Sequence, residues 1–208
     1  PEETTLSKDQ LKVADNDVQP SFANQIDRKR IISSQFKIHS SHLLEEVAEC
    51  QKPSGFTGDD FYACNQLITE PIIKNSQLLV DHCNFTNTKN NAAIKINGYT
   101  GNTEGSIRIE GCHFVNCQMG AIDINDANPK ELKITKCNFI LCTSNSKGSA
   151  ISFTKTSGII DQCKFYYNYV GNTVKGPEES VIFCDNPSDK HLTISGCFYE
   201  KVGDGKSI

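Results

Sequence analysis

Two acidic residues, Asp81 and Glu110, are the first candidates for chemistry in this chain. Each lies two positions before a cysteine of a recurring Cys-x-Phe motif, so the two carboxylates are expected at equivalent places in successive copies. If the copies stack, the carboxylates would be close enough to raise the pKa of one of them or to share a calcium ion. Arg108 would complete the charged set of an enzyme that acts on carbohydrate. An ordinary row of solvated acids is the alternative, and the one we favour.

Ten cysteines among 208 residues are the second chemical feature. A structural zinc site needs paired ligands such as Cys-x2-Cys, and that spacing is absent from the sequence. Most thiols are therefore expected to be buried packing residues, because free cysteine behaves as a small hydrophobe. Cys50 and Cys64 lie outside the repeat and are the more plausible disulfide pair. The histidines are scattered, and we predict no catalytic residue, no metal site and no cofactor.

The cysteines also show how the chain is organised. The Cys-x-Phe motif returns every 25 to 34 residues, at Cys83, Cys112, Cys137, Cys163 and, as a variant, Cys197. Between the copies lie short apolar segments, at 93–96, 121–124, 150–153 and, more loosely, 181–183. Both kinds of segment are rich in β-branched residues, alternate with period two and are bounded by Gly, Asn, Ser and Asp. This pattern is typical of short strands and turns.

Strands that return in the same order predict an all-β fold, a right-handed parallel β-helix of about five to six coils. Helical repeats are excluded because segments such as 97–106 are full of helix breakers, and a β-sandwich would show tight hairpins instead. Stacked coils lie about 4.8 Å apart, so the cysteines and phenylalanines should form inward ladders. The outward row Lys95, Asp123 and Ser152 holds a single acid, which cannot supply the two carboxylates of a glycosidase.

The chain divides into three regions. Residues 1–30 are predicted to be a polar, poorly ordered arm, and 31–67 an N-terminal cap with a degenerate first coil. A short amphipathic helix over 41–50 would belong to this cap and cover an exposed strand edge. Residues 68–208 form the repeats. Because the chain starts at Pro1 without a leader, we expect it to be a piece of a longer protein, in which the stack could continue or pack end to end.

Charge and hydropathy argue against a nucleic-acid-binding protein and against a membrane-spanning helix. The formal net charge is −4, without the basic excess of a nucleic-acid binder. No stretch approaches the roughly 20 consecutive apolar residues of a membrane-spanning helix.

Two short motifs resemble those of a known family. Gly148-Ser149-Ala150-Ile151 and Met119-Gly120-Ala121-Ile122 resemble a G-G-A-I motif, and Phe165-Tyr166-Tyr167-Asn168 matches F-x-x-N. Both motifs are those of the polymorphic outer membrane proteins, β-helical surface proteins of bacteria with counterparts in parasitic protists. The resemblance covers about Leu78 to Tyr199. Phe114 and Phe139 depart from it, since Cys117 and Cys142 replace the Asn.

The resemblance implies adhesion or display at a cell surface, with no catalytic residues to carry over. We therefore expect a non-enzymatic, extracellular or cell-surface scaffold that binds a protein or glycan partner through its outer faces and the loops 97–106 and 169–180. One alternative is a polysaccharide lyase or hydrolase that uses Asp81, Glu110 and Arg108. The other is an intracellular structural rod on a larger assembly such as a cytoskeletal filament.

Overall fold

The computed structural model describes residues 50–52, 54–101, 104–145, 148–170 and 180–200. The predicted arm, most of the predicted cap with its helix, and most of loop 169–180 lie outside these residues. Within them every regular element is a strand, and no helix has the length and hydropathy needed to cross a bilayer. The strands are β1 (Phe61–Cys64), β2 (Leu67–Ile68), β3 (Ile72–Lys74), β4 (Leu78–Asp81), β5 (Asn84–Thr86), β6 (Ile94–Asn97), β7 (Ser106–Glu110), β8 (His113–Val115), β9 (Ile122–Asn125), β10 (Glu131–Thr135), β11 (Asn138–Ile140), β12 (Thr143–Ser144), β13 (Ile151–Thr154), β14 (Gly158–Asp161), β15 (Lys164–Tyr166), β16 (Tyr169–Val170), β17 (Ile182–Asp185), β18 (Leu192–Ser195) and β19 (Phe198–Glu200).

These strands stack into three sheets in which every pair is parallel. Sheet A has the order β1-β4-β7-β10-β14-β18, sheet B β2-β5-β8-β11-β15-β19 and sheet C β3-β6-β9-β13-β17, and a short pair joins β12 to β16. Neighbouring strands always come from successive repeats, as in the pairing of Asp81 with Glu110. The all-β prediction of parallel, stacked repeats is therefore confirmed for the described residues, and the arrangement is that of a parallel β-helix.

In the five coils that carry the Cys-x-Phe motif, the passage from sheet A to sheet B turns on a single residue in the left-handed backbone region. This residue precedes the motif cysteine and has φ between 48° and 61°, at His82, Gly111, Lys136, Gln162 and Gly196. The bend carries the cysteine to the inside of the coil. Its thiol then donates a weak hydrogen bond to the carbonyl two residues earlier, for example from Cys112 Sγ to Glu110 O at 3.2 Å.

The predicted internal ladders are present. The five aromatic rings stack with centroids 4.6 to 5.0 Å apart and planes within 11°, in the order Phe85, Phe114, Phe139, Phe165 and Tyr199. Four of the five motif cysteines are buried, and only Cys197 in the last copy is partly exposed. Burial raises the pKa of the Cys137 thiol well above its ordinary value, so the thiol is neutral and packs as an apolar group.

A second column follows the aromatic ladder and explains the departures from F-x-x-N. Backbone hydrogen bonds bring Thr88, Cys117 and Cys142 into successive coils, with Asn168 next. The Asn168 side chain accepts a hydrogen bond from Cys142 N at 2.9 Å and donates one to Phe139 O at 3.0 Å. Burial raises the pKa of the Cys142 thiol well above its ordinary value, so this thiol is also neutral. The column therefore accepts a small residue, Thr or Cys, or an amide that bonds the neighbouring coil.

The predicted disulfide is also present. Cys50 and Cys64, which ends β1, are bonded with their Cα atoms 5.8 Å apart, and the other eight cysteines are free. A loop of about 15 residues closed in this way stabilises a fold by roughly 3 kcal/mol in the chain-entropy model.

Thiol labelling will test this assignment. The native protein should react rapidly only at Cys184, which is exposed, and more slowly at Cys197. When the protein is unfolded without reductant, eight thiols should become labelled. After reduction of the unfolded protein, ten should be labelled, as counted by intact mass. Ten labelled thiols before reduction would contradict the Cys50–Cys64 bond.

The aromatic ladder predicts a large cost for truncating one of its rings. Phe139→Ala should lower the free energy of unfolding by about 3–5 kcal/mol, because it leaves a cavity between two stacked rings. Phe198→Ala is the matched control, since that ring is 52% exposed, and should cost far less. Equal losses for the two variants in urea denaturation would show that the stacking register is wrong.

Candidate functional site

The structure places Asp81 and Glu110 side by side on the outer face of sheet A. They pair in register, and Thr135, Asp161 and Ser195 continue the row. The predicted row is therefore present. Its polar members also bond to one another, as in the hydrogen bond from Ser195 Oγ to Asp161 Oδ1 at 2.7 Å.

Glu110 has two basic neighbours, and Asp81 contacts a histidine. Arg108 Nη2 lies 3.7 Å from Glu110 Oε2, and Lys136 Nζ donates a hydrogen bond to Glu110 Oε1 at 3.2 Å. His82 Nδ1 lies 2.5 Å from Asp81 Oδ1. The Arg108 guanidinium is shared with Glu131, at 3.8 Å. The contacts of Arg108 and Lys136 are ion pairs of partly exposed side chains, and such pairs contribute little to stability.

A groove with a mixed polar and apolar lining lies on the outer face of sheet C. It has a volume of about 310 Å³, at the lower end of the range of small-molecule sites, about 300–1,000 Å³. Two outward rows line it across β6, β9 and β13: Lys95, Asp123 and Ser152, then Asn97, Asn125 and Thr154. We call this feature the sheet C groove.

The charges in the sheet C groove balance. Lys95 Nζ lies 3.8 Å from Asp123 Oδ2, and both side chains are about one-third exposed. Burial raises the pKa of Asp123, while the Lys95 charge and the Ser152 hydroxyl act in the opposite direction. The carboxylate is thus partly desolvated beside one cation, whereas Glu110 faces two cations on an open surface.

Amides form the second row of the groove, and glycines lie on its flank. Asn125 Nδ2 donates a hydrogen bond to Asn97 Oδ1 at 2.7 Å, which links two coils. This bond uses one N–H group of the amide pair, and each amide carries further donor and acceptor capacity. Gly120 and Gly148 also line the groove, and Met119 adds an apolar side chain to it.

Sequence reasoning identified the row of Lys95, Asp123 and Ser152 as outward but did not predict a groove. The structure confirms the row. The sequence signal that was missed is a second outward row, Asn97 and Asn125, two residues further along the same strands. The groove forms where this row lies beside the first one and close to Gly120 and Gly148. Among the described residues, no group of three or more His, Cys, Asp or Glu side chains could hold a metal ion.

A second groove lies at the first coil. It has a volume of about 480 Å³ and is lined by Phe61 and residues 66–74. Its lining combines apolar side chains of β2 and β3 with Glu70 and Lys74, so it lacks the repeated polar rows of the sheet C groove.

Comparisons with known proteins do not assign this chain to a family. No family model, no curated protein and no solved structure matches it.

The electrostatics of the sheet C groove lead to a prediction about Asp123. Its carboxyl should titrate above 3.8 in NMR, and Lys95→Ala should raise the pKa further because an attractive charge is lost. A raised folded-state pKa stabilises the fold at low pH, and this contribution is lost as the pH rises through that pKa. Asp123→Asn should therefore remove this pH dependence.

Lys164→Ala provides the control for that titration. Lys164 is an exposed residue of β15 in sheet B, so its removal should leave the Asp123 titration unchanged. An Asp123 pKa that does not respond to Lys95→Ala would contradict the pairing of these two residues.

Proposed function

We propose that this chain is a non-enzymatic β-helix segment of a surface or secreted protein, and that it acts as an adhesin or binding scaffold. The finer architecture that we propose is a right-handed helix of about five to six coils with an N-terminal cap over residues 31–67. The observation that supports binding most directly is the sheet C groove, where two polar rows repeat from coil to coil. The resemblance of the G-S-A-I and F-x-x-N segments to motifs of surface proteins also supports a surface or secreted scaffold.

The sulfur chemistry supports a location outside the cytosol. Disulfides persist in oxidising compartments and are rare in the cytosol, and Cys50 and Cys64 are bonded. The intracellular rod would be favoured by ten free thiols. Six of the eight free cysteines are buried, which protects them from oxidation in the compartment that we propose.

The pairing of the acidic row supports binding over catalysis. Glu110 is held between Arg108 and Lys136, and neither of the two grooves includes it. A glycoside hydrolase requires two carboxylates on either side of a bound substrate. Within the sheet C groove Asp123 is the one acid, which suits recognition of a polar ligand by fixed hydrogen bonds.

Cell binding will test the proposal. Fluorescently labelled chain should bind intact cells saturably in flow cytometry, and Lys95→Glu should lower this binding at least tenfold by placing a second acid beside Asp123. Lys164→Glu makes the same charge change on sheet B and should bind as the parent does. Equal loss in both variants, or no saturable binding by the parent, would contradict the groove as the binding face.

A parallel assay addresses the enzymatic alternative. The chain should release no reducing ends or unsaturated products from polysaccharides. Release that Glu110→Ala abolishes would overturn the proposal and favour a polysaccharide lyase or hydrolase.

A further inference from the structure

We infer that the sheet C groove recognises an uncharged, hydroxyl-rich glycan, laid along the stack so that it crosses β6, β9 and β13. This inference rests on the proposed binding function and names the class of its ligand. Three properties of the groove carry it: its charge balance, its hydrogen-bonding groups and its direction.

The charge balance excludes a strongly ionic ligand. Lys95 and Asp123 are the two charged side chains of the groove, and they face each other at 3.8 Å. An acidic polysaccharide would bring its carboxylates or sulfates against the partly buried Asp123, and a polycation would bring its positive charges against Lys95. Both contacts bring like charges together in a partly desolvated groove, which is unfavourable. A neutral ligand avoids this repulsion.

The hydrogen-bonding groups suit hydroxyls. A sugar hydroxyl both donates and accepts, and the groove offers both functions at close spacing. The Asp123 carboxylate accepts, Lys95 donates, and the amides of Asn97 and Asn125 and the hydroxyl of Thr154 can do both. The buried Ser152 hydroxyl instead bonds Asp123. Met119, 37% exposed at the rim, adds apolar surface against which the C–H face of a sugar ring can pack.

The direction of the rows suits a chain molecule. Equivalent residues on neighbouring strands are about 4.8 Å apart, so the row from Lys95 to Ser152 extends for roughly 10 Å along the stack. A ligand with repeating hydroxyls can therefore bond one coil after another. An isolated monosaccharide would reach only part of the row, and we expect affinity to rise with oligosaccharide length.

A panel of defined oligosaccharides tests the inference. The complete chain is titrated calorimetrically with neutral hexasaccharides, namely cellohexaose, maltohexaose, mannohexaose and N-acetylchitohexaose, and with hexagalacturonate as the acidic counterpart. At least one neutral ligand should bind, with an affinity at least tenfold above that of its disaccharide. Asn125→Ala should weaken that binding at least tenfold.

Asn138→Ala is the matched control for the amide variant. Asn138 also bonds between coils, with its Nδ2 3.2 Å from His113 Nδ1, but lies on sheet B. It should bind the neutral glycan as the parent does. Equal weakening by both variants would overturn the inference, because it would indicate a general effect on the fold.

The outcomes separate this inference from the function on which it rests. Binding of hexagalacturonate that Lys95→Glu abolishes would overturn the neutral-glycan inference and leave the scaffold function standing. Cell binding that protease treatment of the cells removes, with no oligosaccharide bound, would do the same and identify a protein partner. Absence of saturable cell binding by the parent chain would count against the scaffold function itself.

Discussion

The spacing of hydrogen-bonded parallel strands is the constraint on which the rest of this structure depends. Successive coils must lie about 4.8 Å apart along every sheet, so each residue has an equivalent directly above and below it. A side chain inside one coil must therefore pack against the equivalent side chains of the coils next to it. The five stacked rings illustrate the result, since their centroid spacing of 4.6 to 5.0 Å follows that of the backbone.

The same constraint explains how the chain uses its cysteines. At the corner between sheets A and B the backbone turns through one left-handed residue, and the next side chain must be small, apolar and able to meet a nearby carbonyl. Cysteine meets all three conditions, as the bond from Cys137 Sγ to Thr135 O at 3.2 Å shows. Cys117 and Cys142 occupy a different column, where the Asn168 amide serves in the next coil. Only Cys50 and Cys64, at the first strand, are oxidised.

The outer faces differ in chemistry because nothing in the core dictates them. At sheet A, the acid Glu110 forms ion pairs with Arg108 and Lys136. On sheet C, one ion pair lies beside amides and hydroxyls in a groove. A stack of this kind can thus keep its interior constant while each outer face carries different chemistry, which suits a binding scaffold.

The amino-acid sequence by itself determined the repeat, the strands and the inward ladders. Those depend on local alternation and on short motifs such as Cys-x-Phe, which report directly on which side of a strand a residue faces. The Cys50–Cys64 bond was also predictable, because those two cysteines alone precede the repeat. The repeat also predicted that Asp81 lies beside Glu110 and that Lys95, Asp123 and Ser152 form one outward row. Only the tertiary structure decided which outward side chains bond to each other and where an outer face forms a groove. Asn97 and Asn125 are 28 positions apart, and their contact depends on coil register and loop length, which no local pattern encodes. The sheet C groove and the balance of charge within it follow from that register.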